Sequence, residues 1–266
     1  MIITSAQNPR VKALAALRRR EARERSGSVL VEGHDEVSLA LASGARPVEL
    51  YHCPALMANA EQLAVLQAVE AGGAEVVEVS REVFEKVAYR QNPDGWLAVF
   101  PPPPTSLDAL RVGREALVLV CEAVEKPGNL GAMLRTADAA GADALIAAAP
   151  VIDWGNPNLV RASRGCLFSV SVAEAAPEEA IQWLRAKGIA VVAATPDGGR
   201  PPTAVDLARP VALVVGSERH GLSPAWVREA DATVRIPMFG RVNSLNVAAS
   251  AAILLYEALR QRGRVR

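Results

Sequence analysis

Aromatic side chains make up only 4% of this 266-residue chain, and it has three cysteines. Cys53, Cys121 and Cys166 are widely spaced and form no metal-spaced pair. An odd count also argues against a disulfide framework, so a reducing, cytoplasmic compartment is expected. No run of eighteen or more apolar residues occurs, which argues against a membrane span. The opening MIITSAQNPRVK has none of the apolar core of a secretory leader. No GxGxxG with a downstream acidic residue is present, so a nucleotide-binding oxidoreductase is disfavoured, and no glycine loop continues into GK[ST]. Neither a bound metal nor a membrane is expected.

Net charge is also lacking: 29 basic and 29 acidic residues cancel. The cancellation hides an asymmetry. Residues 1–26 hold seven basic side chains (Arg10, Lys12, Arg18, Arg19, Arg20, Arg23 and Arg25) against Glu21 and Glu24, while the rest of the chain carries a net −5. A local basic cluster on a neutral body suits phosphate binding. A solvated amphipathic helix fits the same charges equally well.

What is present is a core-sized apolar content, 50% of residues, enough for one or two domains. Asn8-Pro9 reads as an N-cap and first-turn proline, opening a helix that runs to about Arg25 with Val11, Leu14 and Leu17 on one side. Strands are expected at residues 28–33, 48–53, 75–80 and 95–100, with helices at 34–44, 59–73 and 81–88 between them, a small alternating α/β unit. PPPPTS at 101–106 cannot continue a sheet and forms a stiff extended spacer. The expected division is therefore residues 1–100, a linker at 101–115, and residues 116–266. Beyond the linker, ALVLVCEAV (116–124), ADALIAAA (142–149), GIAVVAAT (188–195) and PVALVVGS (210–217) are near-continuous apolar runs, as parallel strands covered on both faces require.

Three loops carry polar residues where α/β proteins hold ligands, at the carboxyl ends of strands. EKPGNLGAMLRTADAAGA (125–142) follows a strand and opens a helix near Asn129. Its glycines allow close backbone approach, its free amides favour anions, and Arg135 lies one turn or so into the helix, on a face that could look back at the loop. VVGSERHGLS (214–223) places Glu218 after a buried strand, with Ser223-Pro224 opening the next helix. Glu218 also suits a helix cap or a pair with Arg219, and His220 a solvent-facing position. IPMFGRVNSLNVA (236–248) ends a short β-rich run, ATVRIP, and enters an apolar helix. A helix cap explains Ser244 or Asn246, but not Asn243, Ser244 and Asn246 together.

In this order the three motifs resemble the SpoU (TrmH-like) branch of the SPOUT RNA methyltransferases over about residues 116–262. NPNLVRASRGCLFSV (156–170) is similar to that family's RAS-G-F segment. The N-terminal part resembles, more loosely, an L30e-like substrate-binding domain. The resemblance implies a Rossmann-like parallel sheet with a deep trefoil knot, S-adenosyl-L-methionine as cofactor, an RNA ribose 2′-hydroxyl as methyl acceptor and a homodimer. It places the catalytic motif residues on Asn129, Arg135, Glu218, Ser244 and Asn246. Cofactor contacts fall on Thr195, Gly216, Ile236, Met238 and Leu245. RNA contacts fall on Arg18, Arg19, Arg20, Arg23 and Arg25, together with Arg135. Many relatives have a second glycine after the glutamate, where this chain has Arg219 and His220. The implied substrate is structured ribosomal RNA in preference to tRNA. A non-catalytic RNA-binding assembly factor is the rival of another class, disfavoured by the intact motif residues. Arg135 is the family's suggested general base, but a guanidinium with a pKa above about 12 is a poor proton acceptor at neutral pH. Anchoring a phosphate or the ribose oxygen suits it better.

Overall fold

The computed structural model describes residues 2–57 and 61–264 and divides into two compact units, one comprising Met1–Pro103 with Asp153–Ser169, the other Pro104–Ile152 with Val170–Arg266. The division falls inside the proline run. In the first unit the chain order is β1 (Ile2–Ile3), α1 (Pro9–Ala16), α2 (Arg20–Ser26), β2 (Val29–Glu32), α3 (His34–Ala42), β3 (Glu49–His52), α4 (Glu61–Ala71), β4 (Glu75–Val79), α5 (Arg81–Val87) and β5 (Trp96–Phe100). The expected start of α4 at residues 59–60 lies outside the described residues. The strands order as β1-β4-β3-β5-β2, with β4 parallel to β1 and β3, and β5 antiparallel to β3 and β2. Leu50, Phe84, Trp96, Leu97 and Phe100 are fully buried in this unit.

The basic N-terminal segment is two helices, not one. Asn8 caps α1 by accepting from the Arg10 amide at 2.9 Å, and Val11 and Leu14 are buried. The helix then stops, and a turn at residues 17–19 leads into α2. The break frees the carbonyls of Leu17 and Arg18, and Arg23 Nη1 donates to both, at 2.9 and 3.0 Å. A buried guanidinium thus satisfies backbone acceptors that a continuous helix would have paired internally.

Burial shifts a titration at His52 in this unit. His52 has a buried Nδ1 without a partner, and desolvation draws its pKa below 6.5, with Glu78 opposing. The unfolded chain therefore takes a proton near 6.5 that the folded state refuses. Stability is complete above that pH and is lost as the pH falls through it. The thermal midpoint is expected to drop between pH 7 and 5.5, and His52→Leu should shrink the drop.

The second unit begins with β6 (Leu117–Glu122), α6 (Pro127–Ala139) and β7 (Ala144–Ala148). The chain then contributes Asp153–Ser169, with α7 (Pro157–Ser163), to the first unit, where α7 packs on β2. Several contacts seat this segment, among them those of Asp153, Phe168 and Gly165. Asp153 grips Arg23 with both carboxylate oxygens, at 2.9 and 2.7 Å. Phe168 stacks obliquely on Phe100 with centroids 4.9 Å apart. Gly165, at φ +90°, lies so close to α3 that a Cβ would stand 2.8 Å from the Glu36 carbonyl oxygen. Only glycine suits that conformation and that space.

Back in the second unit follow β8 (Ser171–Ala175), α8 (Pro177–Ala186), β9 (Ala190–Ala194), β10 (Val211–Val215), α9 (Pro224–Glu229), β11 (Ala232–Val234) and α10 (Val247–Gln261). Six parallel strands order as β11-β9-β10-β6-β7-β8. Every residue of β6, β7 and β10 is buried, which the apolar runs required. Among the described residues no helix is long and apolar enough to cross a membrane.

Candidate active site

The strand order fixes where this sheet can hold a ligand. From β6 the chain moves outward through β7 and β8. It then crosses to β9 and returns through β10 to lie beside β6. The reversal falls between β6 and β10, and such a switch point opens a crevice at the carboxyl ends of the strands. The loops that leave β6, β10, β9 and β11 are therefore neighbours, and they carry the sequence motifs.

Asn129 lies in the first turn of α6, whose start is Pro127, two residues before the expected one. Its side-chain amide donates to Glu218 Oε1, in the loop after β10. Its oxygen accepts from Asn246 Nδ2 at 3.2 Å. Asn246 in turn caps α10, accepting from the amides of Ala248 and Ala249 at 3.0 and 3.4 Å. One asparagine therefore ties three loops far apart in sequence. The helix cap is Asn246 and not Ser244, which is exposed and makes no hydrogen bond among the described residues. Asn246 prevails because its side-chain oxygen reaches the first-turn amides.

Arg135 is exposed on α6 and has no hydrogen bond or ion pair among the described residues. It stands seven residues past Gly128, on the same helix face, and helical side chains tilt toward the N-terminus, here toward the β6 loop. It is an uncommitted cation at the site.

The loop after β10 is tightly folded. Gly216 lies against the Gly221 carbonyl, with no room for a Cβ, and Ser217 Oγ accepts from the His220 amide at 3.1 Å. Arg219 and His220 are exposed. Sequence reasoning missed the residue that holds this loop. Glu122, only 5% exposed at the end of β6, accepts from the Ser223 amide at 2.6 Å. The available signal was a lone carboxylate inside ALVLVCEAV. Its neighbour Cys121 is buried, and desolvation pushes the thiol up to about 12, so it supplies no thiolate nucleophile.

The remaining motif residues lie on the loops after β9 and β11. Thr195 follows β9 and donates its amide to the Val234 carbonyl at 3.0 Å. Ile236 and Met238 are half-buried in the loop after β11, and Leu245 is exposed. The amides of these three donate to no acceptor among the described residues. Such free donors beside apolar side chains match the needs of a cofactor with a carboxylate, a purine edge and an aliphatic arm.

Residues 116–256 match the SpoU rRNA Methylase family. The chain belongs to that family. Residues 8–98 match the MRM3-like substrate binding domain, so this SpoU chain carries both parts. It is 31% identical to the 23S rRNA (guanosine(2553)-2′-O)-methyltransferase RlmP of Bacillus subtilis, over 96% of this chain and 97% of the relative. Its fold matches the AdoMet-bound rRNA methyltransferase of Sinorhizobium meliloti with a TM-score of 0.89 at 34% identity, covering 98% and 97% of the two chains. It matches the SpoU methyltransferase AviRb of Streptomyces viridochromogenes, in complex with AdoMet, with a TM-score of 0.88 at 32% identity, covering 98% and 100%.

The arginines assigned to RNA by resemblance are not equivalent. Arg23 is only 5% exposed and is spent on Asp153 and two carbonyls, so it is a structural residue and not a phosphate contact. Arg20 pairs with Glu24 on the surface at 2.7 Å, and Arg18 donates to the carbonyls of Val87 and Ala88. Arg19 and Arg25 are exposed without partners among the described residues.

Proposed function

We propose that this chain is an S-adenosyl-L-methionine-dependent methyltransferase that modifies a ribose 2′-hydroxyl of structured RNA, with 23S rRNA as substrate. The observation that carries this reading is the chain of hydrogen bonds from Asn246 through Asn129 to Glu218, which unites the three motif loops at the switch point of the sheet. The ribosomal choice is supported by RlmP, a whole-length relative whose name specifies 23S rRNA.

S-adenosylmethionine, when bound, supplies an activated methyl group. Thr195, Gly216, Ile236, Met238 and Leu245 would hold it, the last three through backbone amides. Methyl transfer to an oxygen needs alignment above all, and fixed alignment supplies much of such a rate enhancement. Asn129 and Asn246 shape the pocket wall and orient Glu218, and Ser244 lies on the same loop beside them. Arg135 anchors a phosphate or the ribose oxygen. Arg18, Arg19, Arg20 and Arg25 contribute cationic surface for the RNA backbone, with Arg19 and Arg25 the freest of the four.

The working form is a homodimer. Phe239 is 99% exposed and Val242 63%. Ile253 and Tyr256 of α10 are also exposed, large apolar side chains that a second copy would cover. The trefoil knot implied by the family is consistent with the path of the chain. β11 is an edge strand, yet α10, which follows it, packs on α6 and β10 at the middle of the sheet. Free, buried cysteines suit work in the cytoplasm.

The test is to incubate the full chain and methyl-labelled cofactor with unmodified 23S rRNA and with tRNA, then map the label by mass spectrometry. Label on a 2′-oxygen of 23S rRNA is the expected result. Label confined to tRNA would overturn the choice of substrate, and label on a base or on neither RNA would sink the ribose reading.

A further inference from the structure

One cationic feature of the first unit joins Arg18 of the N-terminal cluster to residues far from it in sequence. Tyr89 follows α5, and the Glu32 carboxylate fixes its turn by accepting from the Tyr89 amide at 2.6 Å and the Arg90 amide at 3.2 Å. The phenol donates to Asn158 Oδ1 at 3.0 Å. Tyr89 as a whole remains 37% exposed. The guanidinium carbons of Arg18 and Arg161 both stand 5.7 Å from its centroid. A groove runs beside it, its lining including Arg18, Glu32, Tyr89, Arg90, Val160 and Arg161.

The charges here are unbalanced. The Arg161 side chain is exposed and makes no hydrogen bond or ion pair, and no carboxylate pairs with Arg18, among the described residues. Arg90 is already paired with Glu36 at 2.5 Å, which leaves Glu32, held by the two amides, as one carboxylate in the groove against Arg18 and Arg161. The ring attracts each guanidinium, and the two cations together leave a positive surface on the groove that an anion would neutralise. An anion joined to a flat apolar group satisfies both the guanidiniums and the ring, and that is the chemistry of a nucleotide in single-stranded RNA.

We propose that Tyr89, Arg18 and Arg161 form a docking subsite for one unpaired RNA nucleotide, its phosphate between the two guanidiniums and its base on the exposed part of the Tyr89 ring. This rests on the RNA-methyltransferase reading above and adds to it a nucleotide contact remote in sequence from the cofactor motifs. Arg161 comes from the segment Asp153–Ser169, which the fold places in the first unit, so the subsite is composite.

The test measures binding of the full chain to a fluorescein-labelled twelve-nucleotide RNA of mixed sequence and to its blunt duplex, across a salt series. Arg161→Ala is expected to weaken single-strand binding several-fold and to reduce the salt slope by about 0.7, one phosphate contact. Tyr89→Ala should weaken it about tenfold with the slope unchanged, while Tyr89→Phe, which keeps the ring, should bind nearly as the parent does. Wild-type single-strand affinity and slope in both alanine variants would overturn the subsite, and equal losses on the duplex would overturn its preference for an unpaired nucleotide. Calorimetric titration with S-adenosylmethionine separates the two levels of the argument. The parent and all three variants should bind it alike, whereas failure of the parent to bind would count against the methyltransferase reading itself.

Discussion

Asn129→Ala is expected to lower kcat about a hundredfold while leaving the fold intact. The side chain is half-exposed and fills no core space, so its removal leaves no cavity of the kind that destabilises. What it does is join. It donates to Glu218 and accepts from Asn246, and alanine breaks both bonds at once. The loops after β6, β10 and β11 then lose their common reference point, and misplacement of reacting groups by about 1 Å costs on the order of 10²-fold in rate. Initial rates with labelled cofactor, paired with a melting curve, check this. Arg135→Ala should show a comparable loss by a different route, removing a cation and leaving the loops joined. A rate within about threefold of the parent for Asn129→Ala would remove the asparagine bridge from the mechanism.

Asp153→Ala should cost about 3–5 kcal/mol of stability in the first unit, far more than an ordinary surface change. Arg23 is 5% exposed, and Asp153 is its only carboxylate partner among the described residues. Removing the acid strands a buried cation, the costly way to break such a pair. The guanidinium cannot simply swing into water, because Nη1 remains bonded to Leu17 and Arg18. Arg23→Met in the same chain removes the stranded charge, so the double variant should recover at least about 1 kcal/mol relative to Asp153→Ala alone. Hydrogen exchange in urea over β2 and α7 reads the effect where it arises. A single variant as stable as the parent would mean that water already reaches the guanidinium.

The strands of the second unit were legible because each of β6, β9 and β10 is a short apolar run of a kind only a doubly covered sheet contains. β8 was not. Its sequence, SVAEA, is weakly apolar, and its identity as a strand comes from pairing with β7. The break between α1 and α2 escaped notice because RRREARER has strong helix propensity throughout. The turn is stabilised by Arg23 and Asp153, a contact across 130 residues that no local pattern contains. In the site, residue types at motif spacing pointed to Asn129, Glu218 and Asn246, whereas their mutual hydrogen bonds depend on the switch point in strand order. Glu122 was hidden for a related reason: its partner is a backbone amide, and amides carry no sequence signature. The burial of Arg23 was equally invisible, since its basic neighbours Arg18, Arg19, Arg20 and Arg25 suggest a solvated surface.

The placement of Asp153–Ser169 sets an order of events during synthesis. A ribosome making this chain emits the first unit's sheet early, but the carboxylate that neutralises Arg23 and the phenylalanine that meets Phe100 come more than fifty residues after β5. By then β6, α6 and β7 have also emerged. The N-terminal unit therefore waits, with an unpaired cation and an uncovered ring, while the start of the second unit is already seeking its own partners. Translation speed across residues 104–169 thus becomes part of the folding problem, and a pause after residue 152 would prolong the life of the least finished intermediate.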